Sequence, residues 1–347
     1  MVSRRLFLSA ATGAGLALSA HGSFGQTAVG GQWRRVRDIP QGANEVIGAA
    51  VDGKFLVYGG LSDFVALGLF FMYDPTKDEW TSLPNPPVPV HHGAAVGIGS
   101  KFYVFGGFKK PDDGARLWVT QNDTWSFDLV TSKWDKVAPM PTARGALSAV
   151  AVGDKAYVIG GAALPSWSRE RGFNPNFGGE QSSAIEIYDA KLDSWIKGNP
   201  MLTGRNHLNC GVVGGKIFAI GGRVGSAFVG SSTNIGANEE YDILANTWRP
   251  RALMPTPRSG HGVAVLNGRV HTLGGEYVTA TSRGTFQTHE VYDPQTNDWK
   301  TLTDLPTGRH GYAIATLGDR IYTATGMTTP GTGGGPATGA PVVEVWG

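Results

Sequence analysis

Short apolar runs recur along the chain, and each ends in a pair of glycines: FLVYGG, FYVFGG, AYVIGG, IFAIGG. The doublets begin at Gly59, Gly106, Gly160, Gly221 and Gly274, and a sixth is degenerate, Thr325-Gly326. The runs are too short for amphipathic helices and rich in aromatic and β-branched residues, so they read as strands. A Trp stands 26 residues before each doublet, at Trp33, Trp80, Trp134, Trp195, Trp248 and Trp299. Before five of these Trp residues, six positions separate the Trp from the Asp of an aromatic-Asp pair: Tyr73-Asp74, Phe127-Asp128, Tyr188-Asp189, Tyr241-Asp242 and Tyr292-Asp293. The residues between are turn formers, as in DPTKDEW and DPQTNDW, with Pro suited to the second turn position and Asp able to bond its own turn. Spacing repeated six times is the signature of one supersecondary unit copied six times, here a small all-β sheet. The glycines suit a crowded centre, where backbone approaches backbone or takes positive φ.

The apolar run with Gly-Gly, the aromatic-Asp pair, the Trp six positions on, and the exits PTAR (141–144), PTPR (255–258) and PTGR (306–309) resemble the Kelch repeat. The resemblance covers about residues 31 to 347 and implies an all-β, six-bladed Kelch β-propeller. The ends complement each other: the chain opens at Trp33 without a preceding aromatic-Asp hairpin and stops at VVEVWG without a following Trp strand. Residues 32–37 are therefore expected to close the ring as the outer strand of the C-terminal blade, covering a sheet edge.

Residues 1–25 differ from the rest. Arg4 and Arg5 precede an apolar stretch from Leu6 to Ala20, which reads as an export signal and resembles the twin-arginine type. The organisation expected is a signal peptide over 1–25 and a single propeller over 26–347, in the periplasm or secreted. The apolar run is too short for a bilayer span, so stable membrane insertion is not expected. Removal of the signal takes the formal charge from +2 to about zero. No Lys/Arg cluster remains, which argues against nucleic acid. The single Cys, Cys210, excludes an intramolecular disulfide and reads as a buried small hydrophobe. A monomer is expected.

Length varies mainly between each Gly doublet and the next aromatic-Asp pair, which marks a recognition loop in each unit. The longest, in the third unit, carries Trp167, Arg169, Glu170, Arg171, Phe173, Asn174, Asn176 and Phe177. The resemblance places the segments after each Trp strand on the same face, round the channel mouth. These segments hold His91, His92, His207, His261 and His310, and four Arg ten residues after their Trp: Arg144, Arg205, Arg258 and Arg309. The regular Arg set suits a repeat-wide structural pairing, whereas Asn206, His207, Ser259, His261 and His310 break the repeat. After the doublets stand Leu61, Phe108, Ala162, Arg223, Glu276 and Met327, so Arg223 and Glu276 are polar among apolar equivalents. The ligand set expected is Arg223, Arg258, Arg309, Asn206, His207, Ser259, His261, His310 and Glu276.

Forked donors and aromatic walls suit a small polar ligand, sugar-like or anionic; a protein loop is the other occupant. Whether the protein is an enzyme is left open. Resemblance to sialate-type mutarotases implies general acid/base work by Glu276 with His207, His261 or His310. Resemblance to galactose-oxidase-like propellers implies copper, but the Tyr-His ligand dipeptide of those enzymes is missing. No metal and no cofactor are expected.

Overall fold

A computed structural model describes residues 31–62, 65–110, 118–163, 180–331 and 339–347. The export signal and the long third-unit loop, residues 164–179, lie outside the described residues.

Six four-stranded antiparallel sheets form the blades of a propeller. In blade 1 the chain runs through Asn44–Val51, Lys54–Ser62, Val65–Asp74 and Glu79–Ser82. Blade 4 repeats the meander with Asn209–Val213, Lys216–Ile220, Asn238–Asp242 and Thr247–Pro250. The first strand of each blade lies innermost, against the first strands of both neighbours, round one axis. Blade 6 takes three strands from the C-terminus, and its fourth is Trp33–Arg35. Trp33 pairs with Trp346 and Arg35 with Glu344. The expected closure is thus observed, with a strand of three residues.

The core is divided into wedges between neighbouring blades. One joins Val46, Phe55 and Tyr73 of blade 1 to Ala313, Tyr322 and Val345 of blade 6. Another joins Tyr157 and Ile159 of blade 3 to Leu208, Ile217 and Tyr241 of blade 4. The repeat markers supply the links. Each Trp is half-buried on the outer strand; five pack on the Tyr or Phe of their own blade at 4.9–5.2 Å between ring centroids, and Trp33 packs on Trp346 at 5.4 Å. Each indole N–H donates to a backbone carbonyl of the preceding connection: Trp80 to Arg37, Trp134 to Pro84, Trp248 to Asn199. Trp33 does the same, to Thr303. In four doublets the second glycine donates its N–H to the carbonyl of the next blade's Arg, as from Gly222 to Arg258 at 3.0 Å, and Gly326 donates to Ala43 O in the same way. At Gly221 a Cβ would come within 2.8 Å of the Arg258 oxygen, and φ is +61°; only glycine fits there without strain.

Candidate functional site

The twelfth residue after each Trp forms a ring round the axis. The six are Glu45, His92, Ala146, His207, Gly260 and Gly311, and all have left-handed φ between 51° and 62°. Their main chains join blade to blade: His92 N–H donates to Glu45 O, Ala146 to His92, His207 to Ala146, Gly260 to His207 and Gly311 to Gly260. Val46 N–H completes the hoop on Gly311 O at 3.2 Å. The same six residues line an axial cavity of about 150 Å³ that continues between the inner strands, room for a few waters or a small group.

A buried polar cluster sits at this ring. The Arg223 guanidinium donates to Glu276 Oε1 at 2.6 Å, Ser259 Oγ at 3.1 Å, His207 Nε2 at 2.8 Å and Ala227 O at 2.5 Å. His207 Nδ1 donates to Asn206 Oδ1 at 2.5 Å. His310 Nε2 lies 3.4 Å from both Glu45 Oε1 and Glu276 Oε2, and His92 Nε2 lies 3.2 Å from Glu45 Oε2. Gly331 N–H donates to Glu276 Oε2 at 2.7 Å. Arg223, Glu276, His207 and His310 are each at most 6% exposed.

The electrostatics separate these histidines. Burial and the Arg223 charge hold His207 well below the usual imidazole range, and burial with the charges of neighbouring His and Arg does the same to His92. Burial opposes protonation of His310 as well, but the carboxylates of Glu276 and Glu45 outweigh it and its pKa is raised. Burial favours the neutral acid of Glu276, yet His310 and Arg223 prevail and its pKa is lowered. The centre thus couples an anionic Glu276 to a proton held on His310.

An apolar roof covers the cluster. Phe108 stacks on Trp118 at 5.5 Å, Trp118 stacks on Phe228 at 4.6 Å, and Leu61, Ala162 and Ala227 complete the patch. Trp118 lies 5.0 Å from the rings of both His91 and His92.

Of the nine residues expected at the site, the structure gathers Arg223, Glu276, Asn206, His207, Ser259 and His310. The other three sit elsewhere. Arg258 is fully buried on Glu290 Oε2 at 2.5 Å and on Thr272, and Arg309 on Glu344 Oε2 at 2.8 Å and on Thr323. They repeat the pairs Arg144–Glu186 and Arg205–Glu239 and hold the blades together instead of facing the axis cluster. His261 is the thirteenth residue after its Trp, one position past the ring, where it borders the axial cavity just before the strand Gly262–Leu266. Its imidazole packs against Gly221, between blades 4 and 5, where Leu208 packs against Gly160 one blade earlier. Sequence reasoning left Glu45 and His92 out of the ligand set; counting twelve from each Trp finds both. Trp118 and Phe228 come from the variable loops, where no register signals them. Cys210 lies on the inner strand of blade 4 among Ile159, Leu208 and Ala219, and burial pushes its thiol up to about 12. That is an inert packing cysteine, not a thiolate.

Two Kelch descriptions match this chain: the KLHDC2/KLHL20/DRC7 Kelch-repeats domain over residues 28–162, and the Kelch motif over 204–255 and 257–306. The Kelch-like protein terF of Aspergillus terreus is 24% identical over 334 residues, covering 92% of this chain and 69% of that protein. Kelch-like protein 23 of Homo sapiens is 27% identical over 81% of this chain, and beta-scruin of Limulus polyphemus 26% identical over 71%. The chain spans only 45% and 31% of those two proteins. The solved structure of YjhT superposes with a TM-score of 0.72 at 18% identity, covering 89% of this chain and 96% of that one; it shows a shared fold.

Proposed function

Because the chain belongs to the Kelch-repeat family of β-propellers, a fold that serves ligand or protein binding, we propose that it binds a small anionic or sugar-like ligand at the channel mouth. The observation that carries this reading is the axis cluster itself. Arg223 and Glu276 depart from apolar repeat equivalents, and with His207 and His310 they converge beneath the Trp118 and Phe228 faces. Forked donors and a proton-bearing imidazole suit a carboxylate or vicinal hydroxyls, and aromatic faces suit a sugar ring. A roofed site of this size favours a small molecule over a protein loop. Export through residues 1–25 to the periplasm or medium belongs to the same reading.

A panel of sugar acids and neutral sugars, screened by thermal shift and calorimetry, tests it. At least one sugar acid should bind, and Arg223→Lys should weaken it by about 1.5–3 kcal/mol, the worth of a charged hydrogen bond. A panel that leaves the melt unmoved would sink the proposal.

The shared proton favours a second reading, interconversion of sugar ring forms. His310 would protonate the ring oxygen while Glu276 removes the anomeric hydroxyl proton; the C1–O5 bond breaks and a carbonyl forms. Reversal on the other face gives the second anomer. Exchange measured by NMR on the bound sugar separates this from passive binding: it should be fast with the wild-type chain and lost in His310→Gln.

A further inference from the structure

We propose that Glu45, His92 and His207 form a site on the propeller axis for one divalent first-row transition metal. The proposal rests on three ring positions and needs no sugar-like ligand, although His207 serves both readings. One donor atom from each residue falls within 4.8 Å of the others. Metal–ligand distances of about 2.0–2.2 Å put neighbouring donors roughly 3.0–3.6 Å apart, so the three side chains must close on the ion by about 1 Å or more through rotation about their χ angles. Two imidazoles and one carboxylate, gathered on one side of an ion, are a donor set suited to Fe(II), Mn(II), Co(II) or Zn(II).

The ring explains how the three meet. Each is the twelfth residue after a Trp, so each leaves the hoop at the same height and points at the same axis. Blades 5 and 6 place Gly260 and Gly311 at this position, the residue that left-handed φ favours. Glu45, His92 and His207 adopt that conformation with φ of 53°, 53° and 51°, so three large polar side chains stand where glycine is the relaxed choice. Strain of this kind gathers at functional sites.

The supporting shell already presents the donors. Asn206 Oδ1 takes the Nδ1 proton of His207 at 2.5 Å, which leaves Nε2 bare; the Arg223 hydrogen bond to that atom confirms its lone pair. His91 Nδ1 meets His92 Nδ1 at 2.5 Å. His92 Nε2 in turn lies 3.2 Å from Glu45 Oε2, so a metal between these two atoms would take the place of the proton they share. Orientation of a ligating His through its other nitrogen is the usual role of outer-shell partners. When His207 turns to the metal, Arg223 loses one acceptor and keeps Glu276, Ser259 and Ala227. Gly260 and Gly311 add no side chain of their own to the ring, and the axial cavity that the ring lines has space for waters or a small ligand in the remaining coordination positions.

The test uses the full chain, stripped with chelator and titrated with Co(II), followed by ligand-field absorption and calorimetry. One Co(II) per chain is expected. Glu45→Gln, His92→Gly and His207→Gly should each weaken binding beyond the ~10–100-fold that loss of a supporting partner brings. The two glycine variants place in blades 2 and 4 what the left-handed backbone of blades 5 and 6 already uses, so both should still unfold cooperatively, which separates lost metal binding from a lost fold. As a measurement free of any variant, Mn(II) should broaden the amide signals of Ala146, Gly260 and Gly311 before all others in the wild-type chain. Absent cobalt bands, variants that bind as tightly as the wild type, or broadening centred away from the ring would each overturn the proposal.

Discussion

Two kinds of buried ion pair lie within a few residues of each other, and they differ in repetition. Arg144–Glu186, Arg205–Glu239, Arg258–Glu290 and Arg309–Glu344 are the same pair in four blades, each Arg anchored as well on nearby backbone or threonine oxygens. Arg223–Glu276 occurs once, and its partners are two histidines, a serine and a glycine amide drawn from blades 4 to 6. Burial does not tell the two apart, since both are nearly inaccessible. What separates them is that the first kind closes on itself within each repeat, whereas the second spans repeats and gathers at the axis.

The comparison breaks most violently at the seam. Removing residues 32–38 strips blade 6 of its outer strand and the Trp33 contacts. It should lower the melting temperature by more than about 10 °C, and an unchanged melt would refute closure by the N-terminus. Next comes the pair itself. Arg258→Ala leaves Glu290 buried without its cation, at a cost of about 3–5 kcal/mol. Arg223→Ala should cost less in chemical denaturation, because Glu276 keeps His310 and the Gly331 amide. Equal losses would erase the distinction between scaffold and centre.

Acid gives the smallest and most selective effect. His271 and His289 contact each other at 2.9 Å beneath Trp33 and Trp346. Burial, with the Arg269 charge for His271, pushes that residue down to about 4; burial, with the His271 charge, pushes His289 down to about 3. The unfolded chain takes up these protons near pH 6.5 and the folded chain does not, so the associated stability is present above 6.5 and drains away as the pH falls. Between pH 7 and 5 the loss is on the order of 2 kcal/mol per histidine. His289→Gln should make stability against pH shallower over that window by that one contribution, since burial holds His91, His92, His207 and His261 low as well; a profile as steep as the wild type's would clear His289 of the effect.

The architecture was legible because its signals are periodic: Trp33 and Trp346 announced the seam, and the Gly doublets the centre. The candidate site was legible only where a residue broke the period. Arg223 and Glu276 stood out after apolar equivalents, and both are at the axis. His261 misled because residue type was weighed above register, and it stands one position past the ring. Glu45 went unseen because it sits in the opening half-unit, which lacks the aromatic-Asp marker that frames the others. Trp118 and Phe228 arrive on loops whose length varies, where no periodic rule applies.

The hoop of main-chain hydrogen bonds has one further consequence. Since it is made by backbone alone, the identity of each of its six members is free to change without loosening the ring. Every repeat thus contributes one interchangeable vertex to a common centre. A propeller that arose by copying a single unit would begin with six like groups facing one another, a symmetric socket with little to say to an asymmetric guest. Here the vertices read Glu, His, Ala, His, Gly, Gly in order round the axis. The four-stranded meander is repeated round the axis while its innermost side chains are not, and the sequence of those six letters is where this wheel can acquire a direction.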